Sequence, residues 1–158
     1  MRNTWIRRIS AIRKDGVESA INLTCGLNCI IGASNTGKTR IAKTVEFACG
    51  GKELPFTDKT AYEIAQVTFV TNGGEVSLSR SIHVQNTIHV KSSNPMIVPG
   101  SYSVSSRAGK SINTVLLALL GVESTRRIAT NETYHTVAFT WNAIRHLMIV
   151  PEDQIGRA

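Results

Sequence analysis

The apolar positions along this chain change period several times, and each change marks an element. Residues 4–13 and 17–24, joined by a turn at Asp15 and Gly16, predict an antiparallel strand pair. Residues 27–31, a short apolar run with β-branched members, predict a buried strand. From Lys38 onward Ile41, Ala42, Val45, and Ala48 or Cys49 recur at helical spacing, and Gly50 with Gly51 supplies a stop. Residues 52–65 hold Pro55 and read as a loop with a helical turn near 62–65.

Residues 66–70, the turn Asn72, Gly73 and Gly74, and residues 76–84 predict a hairpin, with 88–91 as a third strand. After a turn-rich stretch over 92–109, Ile112, Val115, Leu116, Leu119 and Leu120 share one side of a helix closed by Gly121. A loop then precedes 137–139 and a helical or turn segment near 141–145. The apolar run 147–150 reads as a strand ending at Pro151. No internal repeat or low-complexity tract is present.

Composition narrows the class. With 158 residues, 42% hydrophobic and 18% charged, the chain has the balance of one folded domain and is small for a complete motor ATPase. Its longest apolar run, 115–122, is far short of the roughly 20 residues that cross a bilayer, so no membrane partner is expected. Arg2, Arg7, Arg8, Arg13 and Lys14 crowd the amino end, but a strand explains the segment better than a targeting peptide. Three cysteines, Cys25, Cys29 and Cys49, are an odd count without a second pair for zinc; they read as core thiols of a cytoplasmic protein. The net charge of +7 permits nucleic acid as a partner, yet the basic residues are scattered.

The chemistry is concentrated in one run. Gly32, Ala33, Ser34, Asn35, Thr36, Gly37, Lys38 and Thr39 fit GxxxxGK[ST] at every fixed position, between a predicted strand and a predicted helix. Glycines let the backbone approach phosphates so that successive N–H groups form an anion cradle, and the helix start adds partial positive charge. Lys38 would reach the β- and γ-phosphates, and the Thr39 hydroxyl would ligate Mg2+. The expected ligands are therefore ATP and Mg2+, bound by Gly32, Ser34, Asn35, Thr36, Gly37, Lys38, Thr39 and Arg40.

A second GKS, Gly109, Lys110 and Ser111, has Val104 where the first glycine should stand, and it reads as a helix start with Ser111 near the N-cap. Arg80 on the hairpin reads as a solvated strand arginine. Hydrolysis would need further carboxylates, and the candidate is Glu152, in residues 147–153, where Pro151 interrupts the junction with the strand.

Four stretches together resemble the amino-terminal half of an ABC-type ATPase head of the SMC and SbcC-like repair group, a P-loop ATPase family. They are residues 21–27 leading into LNCIIGASNTGKT, the helix ending FACGG, the hairpin QVTFVTNGGEVSLSRSI, and the closing HLMIVPEDQI. The resemblance implies an α/β P-loop NTPase fold with a mixed sheet and an antiparallel β-subdomain over 66–91. Residues 1–158 would form one lobe, the first part of a longer head. It places Glu152, or Gln154 two residues on, where the family's Q-loop glutamine meets magnesium and the attacking water, and Glu152 is preferred. It further implies ATP hydrolysis once a carboxy-terminal lobe or partner completes the head, DNA as partner, and a nucleotide-dependent homodimer. Some divergent members serve bacterial defence. Two other readings are a nucleotide-gated scaffold without turnover and a P-loop small-molecule kinase. The antiparallel hairpin counts against the kinase, which continues into parallel βαβ units.

Overall fold

A computed structural model describes residues 4–33, 37–57, 60–105, 108–122, 127–129 and 136–148. The first strands are β1 (Trp5–Arg13) and β2 (Glu18–Asn22), followed by the helix α1 (Lys38–Ala48). Then come β3 (Tyr62–Thr71), β4 (Gly74–Ser81), β5 (Thr87–Ser92) and β6 (Gly100–Ser103). The helix α2 (Ile112–Leu119), the strands β7 (Arg127–Ala129) and β8 (Thr136–Ala138), and the helix α3 (Trp141–Met148) complete the order. The class is mixed α/β. Six strands make one sheet in the order β2-β1-β3-β4-β5-β6, antiparallel at every junction, and β7 pairs β8 separately.

The turns follow the side chains that allow them. Gly16, at φ 82°, closes the β1–β2 hairpin while the Asp15 carboxylate accepts from the Val17 amide. Asn72 and Gly73 connect β3 to β4 as a two-residue loop, with Thr71 opposite Gly74. The sheet then divides by face. Ala65 and Val67 on β3, Val76 and Leu78 on β4, and Ile88 and Val90 on β5 are buried beneath the helices. The other face carries a row in register, Ser10, Gln66, Ser79, His89 and Ser101, knitted by Ser79 to Gln66 at 2.9 Å and Ser101 to His89 at 3.0 Å. That face is polar rather than apolar, with Ser10 and Thr68 on it also buried.

Two apolar clusters hold the helices down. Phe47 and Ala48 of α1 sit with Ile9, Phe56, Ala65, Val67 and Ile82. Ile112, Val115, Leu116 and Leu119 of α2 sit with Val76, Leu78, Ile88, Val90 and Tyr102. Ala42, expected on the buried side of α1, is exposed, and Thr44 is buried in its stead. The end of α1 is sealed as Gly50 and Gly51 foretold. Gly50, at φ 100°, donates to the Phe47 carbonyl and Gly51 to the Glu46 carbonyl, which satisfies two terminal acceptors. Ser111 caps α2, accepting from the Asn113 amide, so the second GKS is the helix start its sequence indicated.

Several expectations are corrected. Residues 27–31 form no strand: Leu27 and Ile31 are each 93% exposed, and both edges of β1 are already taken by β2 and β3. The six-stranded sheet is accordingly antiparallel rather than mixed. The hairpin is no separate subdomain, because β3 pairs directly with β1. Residues 62–65 continue β3 instead of making a helical turn, since Ala65 and Ile64 pair with Ala11 and Ile12. An added edge strand, β6, lies inside the stretch read as turns. Leu147 and Met148 end α3 rather than open a strand.

The cysteines also divide. Cys25 and Cys29 are exposed, against expectation, and Cys49 is buried in the cluster beneath α2. Burial pushes the Cys49 thiol from 9.0 up to about 12, with the Glu46 carboxylate adding to it. A folded-state value above the unfolded one keeps its stabilising contribution below pH 9.0 and loses it towards about 12. The stability difference between the wild type and Cys49→Ala should therefore shrink by about 1.4 kcal/mol per pH unit above pH 9 in urea titrations. A difference that stays constant would show that the thiol does not carry this shift.

Candidate functional site

The loop before α1 is built by short-range bonds. Asn28 donates through Nδ2 to the carbonyls of Thr24 and Gly26, at 2.8 and 3.0 Å, and accepts the Thr24 amide at 3.0 Å. That side chain folds 24–28 into a compact turn, with Gly26 at φ 105°. Gly37 then takes φ 90° and ψ 10°, a left-handed conformation that glycine adopts at little cost, and α1 starts at the next residue. The second glycine of the motif is thus required by the backbone.

Lys38 lies in the first turn. Its ammonium donates to the carbonyls of Gly32 and Ala33, at 2.7 and 2.6 Å, so the side chain folds back across the loop that precedes it. Thr39 and Arg40 are exposed beside it. Gly32, Gly37, Lys38, Thr39 and Arg40 are brought together, whereas Ser34, Asn35 and Thr36 fall outside the described residues. Glu152 and Gln154 also fall outside them.

The electrostatics of this end are one-sided. The first turn of α1 holds Lys38 and Arg40 and no acidic residue, and among the described residues no side chain caps it. Two cations thus stand at the positive end of a helix dipole. An anion would relieve that charge. A cavity of about 330 Å3 adjoins this turn, lined by Gly37, Arg40, Ile41 and Thr44 of the helix side and by Phe56 and Tyr62. The two aromatic rings stand 5.4 Å apart, and the Tyr62 hydroxyl is 2.7 Å from the Ser19 hydroxyl.

For a metal, the described residues contain no group of three His, Cys, Asp or Glu side chains that could hold an ion. Thr39, whose side chain carries a hydroxyl, is exposed in the first turn of α1. Mg2+ keeps much of its shell as water and phosphate oxygens, so a site for it needs few protein ligands. No described helix is long and apolar enough to cross a membrane.

Arg80 was expected in solvent and is instead 3% exposed. Its Nη1 donates to the carbonyls of Phe47 and Gly51, both at 2.6 Å, and its Nε donates to the Gln85 carbonyl at 2.8 Å. The guanidinium lies 4.0 Å from the centre of the Phe47 ring. The sequence held the signal: Val76, Leu78, Arg80 and Ile82 alternate, so period two puts Arg80 on the apolar face.

No protein-family model matches the chain, and no curated protein does. Among solved structures it is similar to one described as "Structural biochemistry of ATP-driven dimerization and DNA stimulated activation of SMC ATPases". The identity is 11% and the TM-score 0.46, over 95% of this chain and 95% of that one. A similarity of this size is too low to carry a function.

Proposed function

We propose that the start of α1 binds the phosphates of ATP with Mg2+, and that the chain is the first lobe of an SMC- or SbcC-like P-loop ATPase head acting on DNA. The observation that supports it most is the doubly cationic first turn of α1 behind a glycine at φ 90°, within a run that fits GxxxxGK[ST]. Gly32 and Ala33 through Thr39 line the phosphates, Lys38 turns from its carbonyls to the β- and γ-oxygens, Thr39 ligates Mg2+ and Arg40 adds charge. The adjoining cavity takes part of the nucleoside. Mg2+, held through the Thr39 hydroxyl, would supply positive charge to the phosphates. Glu152, or Gln154, is the residue proposed to meet the metal and the attacking water.

ATP binding would drive head dimerisation and hydrolysis would reset it. The exposed side chains of Leu27 and Ile31 fit this scheme as an apolar patch covered by another polypeptide segment of the working head. Replacing Leu27 and Ile31 together by Ser should change the stability of this chain by less than about 0.5 kcal/mol, since neither side chain is buried here. The same change should reduce concentration-dependent self-association in light scattering, as expected for loss of an exposed apolar patch. A fall in urea midpoint instead would show that the run packs in this chain.

A second reading, a nucleotide sensor without turnover, is favoured by one sequence feature. The sole run of apolar residues leading to an acidic pair, 147–153, is interrupted by Pro151. Displacement of a fluorescent ATP analogue by unlabelled ATP tests the binding that both readings share, and phosphate release separates them. Failure of ATP to displace the analogue, or saturating binding that survives removal of Mg2+ and of the Lys38 charge, would overturn the P-loop proposal.

A further inference from the structure

The far end of α1 carries a feature that packing alone does not require. Arg80 is buried with three backbone carbonyls as its partners, one at the carboxyl end of α1, one just beyond it at Gly51, and one in the β4–β5 turn. A buried cation is costly to desolvate, and here burial lowers the guanidinium to about 10. A methionine would fill similar space without that cost. What the guanidinium adds is direction. The apolar contacts of Phe47 and Ala48 with the sheet tolerate small slides, whereas hydrogen bonds to Phe47 O and Gly51 O fix both the depth and the rotation of the helix. The carbonyls at that end also carry the negative pole of the helix, which suits a cation.

We propose that Arg80 is a positioning residue for the phosphate site. It locks α1 to β4 at one end, and the helix, 11 residues and about 16 Å long, transmits that position to Gly37 and Lys38 at the other. The role in binding rests on the nucleotide reading above, but the positioning itself is a property of the free chain. Because Arg80 Nε also holds Gln85 O, a displacement of the β4–β5 turn reaches the phosphate loop through the same side chain.

The test uses the full chain, labelled with 15N, as wild type, Arg80→Lys, Arg80→Met and Leu78→Ala. Leu78 is fully buried on the same strand and bonds nothing in α1, so its variant reports the effect of general loosening. The Gly37 and Lys38 amide resonances should shift in both Arg80 variants, less in Arg80→Lys, and stay near their wild-type positions in Leu78→Ala. ATP affinity should fall about tenfold in Arg80→Met and recover in part in Arg80→Lys. Should Arg80→Met not fold, Arg80→Lys against Leu78→Ala gives the same comparison. Unmoved amides in the Arg80 variants, or equal movement in Leu78→Ala, would overturn the proposal. Moved amides in the Arg80 variants, together with a wild type that binds no ATP, would sustain positioning and sink the nucleotide reading.

Discussion

Lys38→Ala is expected to weaken Mg-ATP binding by about a hundredfold while leaving the fold in place. A hydrogen bond from a charged donor to a phosphate contributes about 1.5–3 kcal/mol, which is roughly ten- to a hundred-and-fifty-fold in affinity. The ammonium also bridges Gly32 O and Ala33 O, so its loss loosens the loop as well as removing the charge. The side chain is only half-buried, in the first turn of a helix, and its truncation should change stability by no more than about 0.5 kcal/mol. Competition with a fluorescent analogue reads the affinity, and urea unfolding reads the fold. Lys38→Arg should not rescue fully, because a planar fork does not reproduce a compact ammonium at a phosphate. An unchanged affinity in Lys38→Ala would remove Lys38 from the site.

Phe47→Ala should cost about 3–5 kcal/mol of stability. Phe47 is fully buried at the meeting point of α1 and the sheet, so truncation leaves a void that rigid neighbours such as Val67 and Ile82 close only in part. It also strips the aromatic face from Arg80, whose charge then stands over the void. The urea midpoint should drop strongly at constant slope, and a loss below about 1 kcal/mol would mean that this end of α1 is not packed as described. Since Arg80 bonds the carbonyl of residue 47 rather than its ring, part of the tie to α1 survives the change.

The sequence was most legible where structure is set locally. Gly16 and Gly50 take positive φ, Asn72 and Gly73 form the β3–β4 loop, Gly51 helps close α1, and Ser111 caps α2, and each lay where its chemistry pointed. The start of α1 behind Gly37 belongs with them. What failed depended on partners distant in sequence. Residues 27–31 have the composition of a buried strand, but composition cannot show whether a neighbour is there to bury them. Residues 62–65 became strand because β1 offered an edge some fifty residues away, and turn composition over 92–109 hid β6, whose one buried side chain is Tyr102.

Arg80 marks a different limit. Its charge suggested solvent, while the alternation Val76, Leu78, Arg80, Ile82 pointed inward, and the alternation prevailed because carbonyls at the end of α1 were there to receive the guanidinium. Of the candidate site, Gly32 and Gly37 to Arg40 lie at the start of α1, where the Lys38 ammonium bonds the Gly32 and Ala33 carbonyls. The roles of Ser34, Asn35, Thr36, Glu152 and Gln154 remain proposals from sequence, because those residues lie outside the described ones.

The central claim is that α1 and its glycine loop bind a triphosphate. Titration calorimetry of the full chain with ATP and Mg2+, run in parallel on Lys38→Ala, tests it most directly. A saturable heat with one site per chain, lost or weakened about a hundredfold in the variant, is the predicted result. Equal binding by both proteins, or none by a folded wild type, would contradict it.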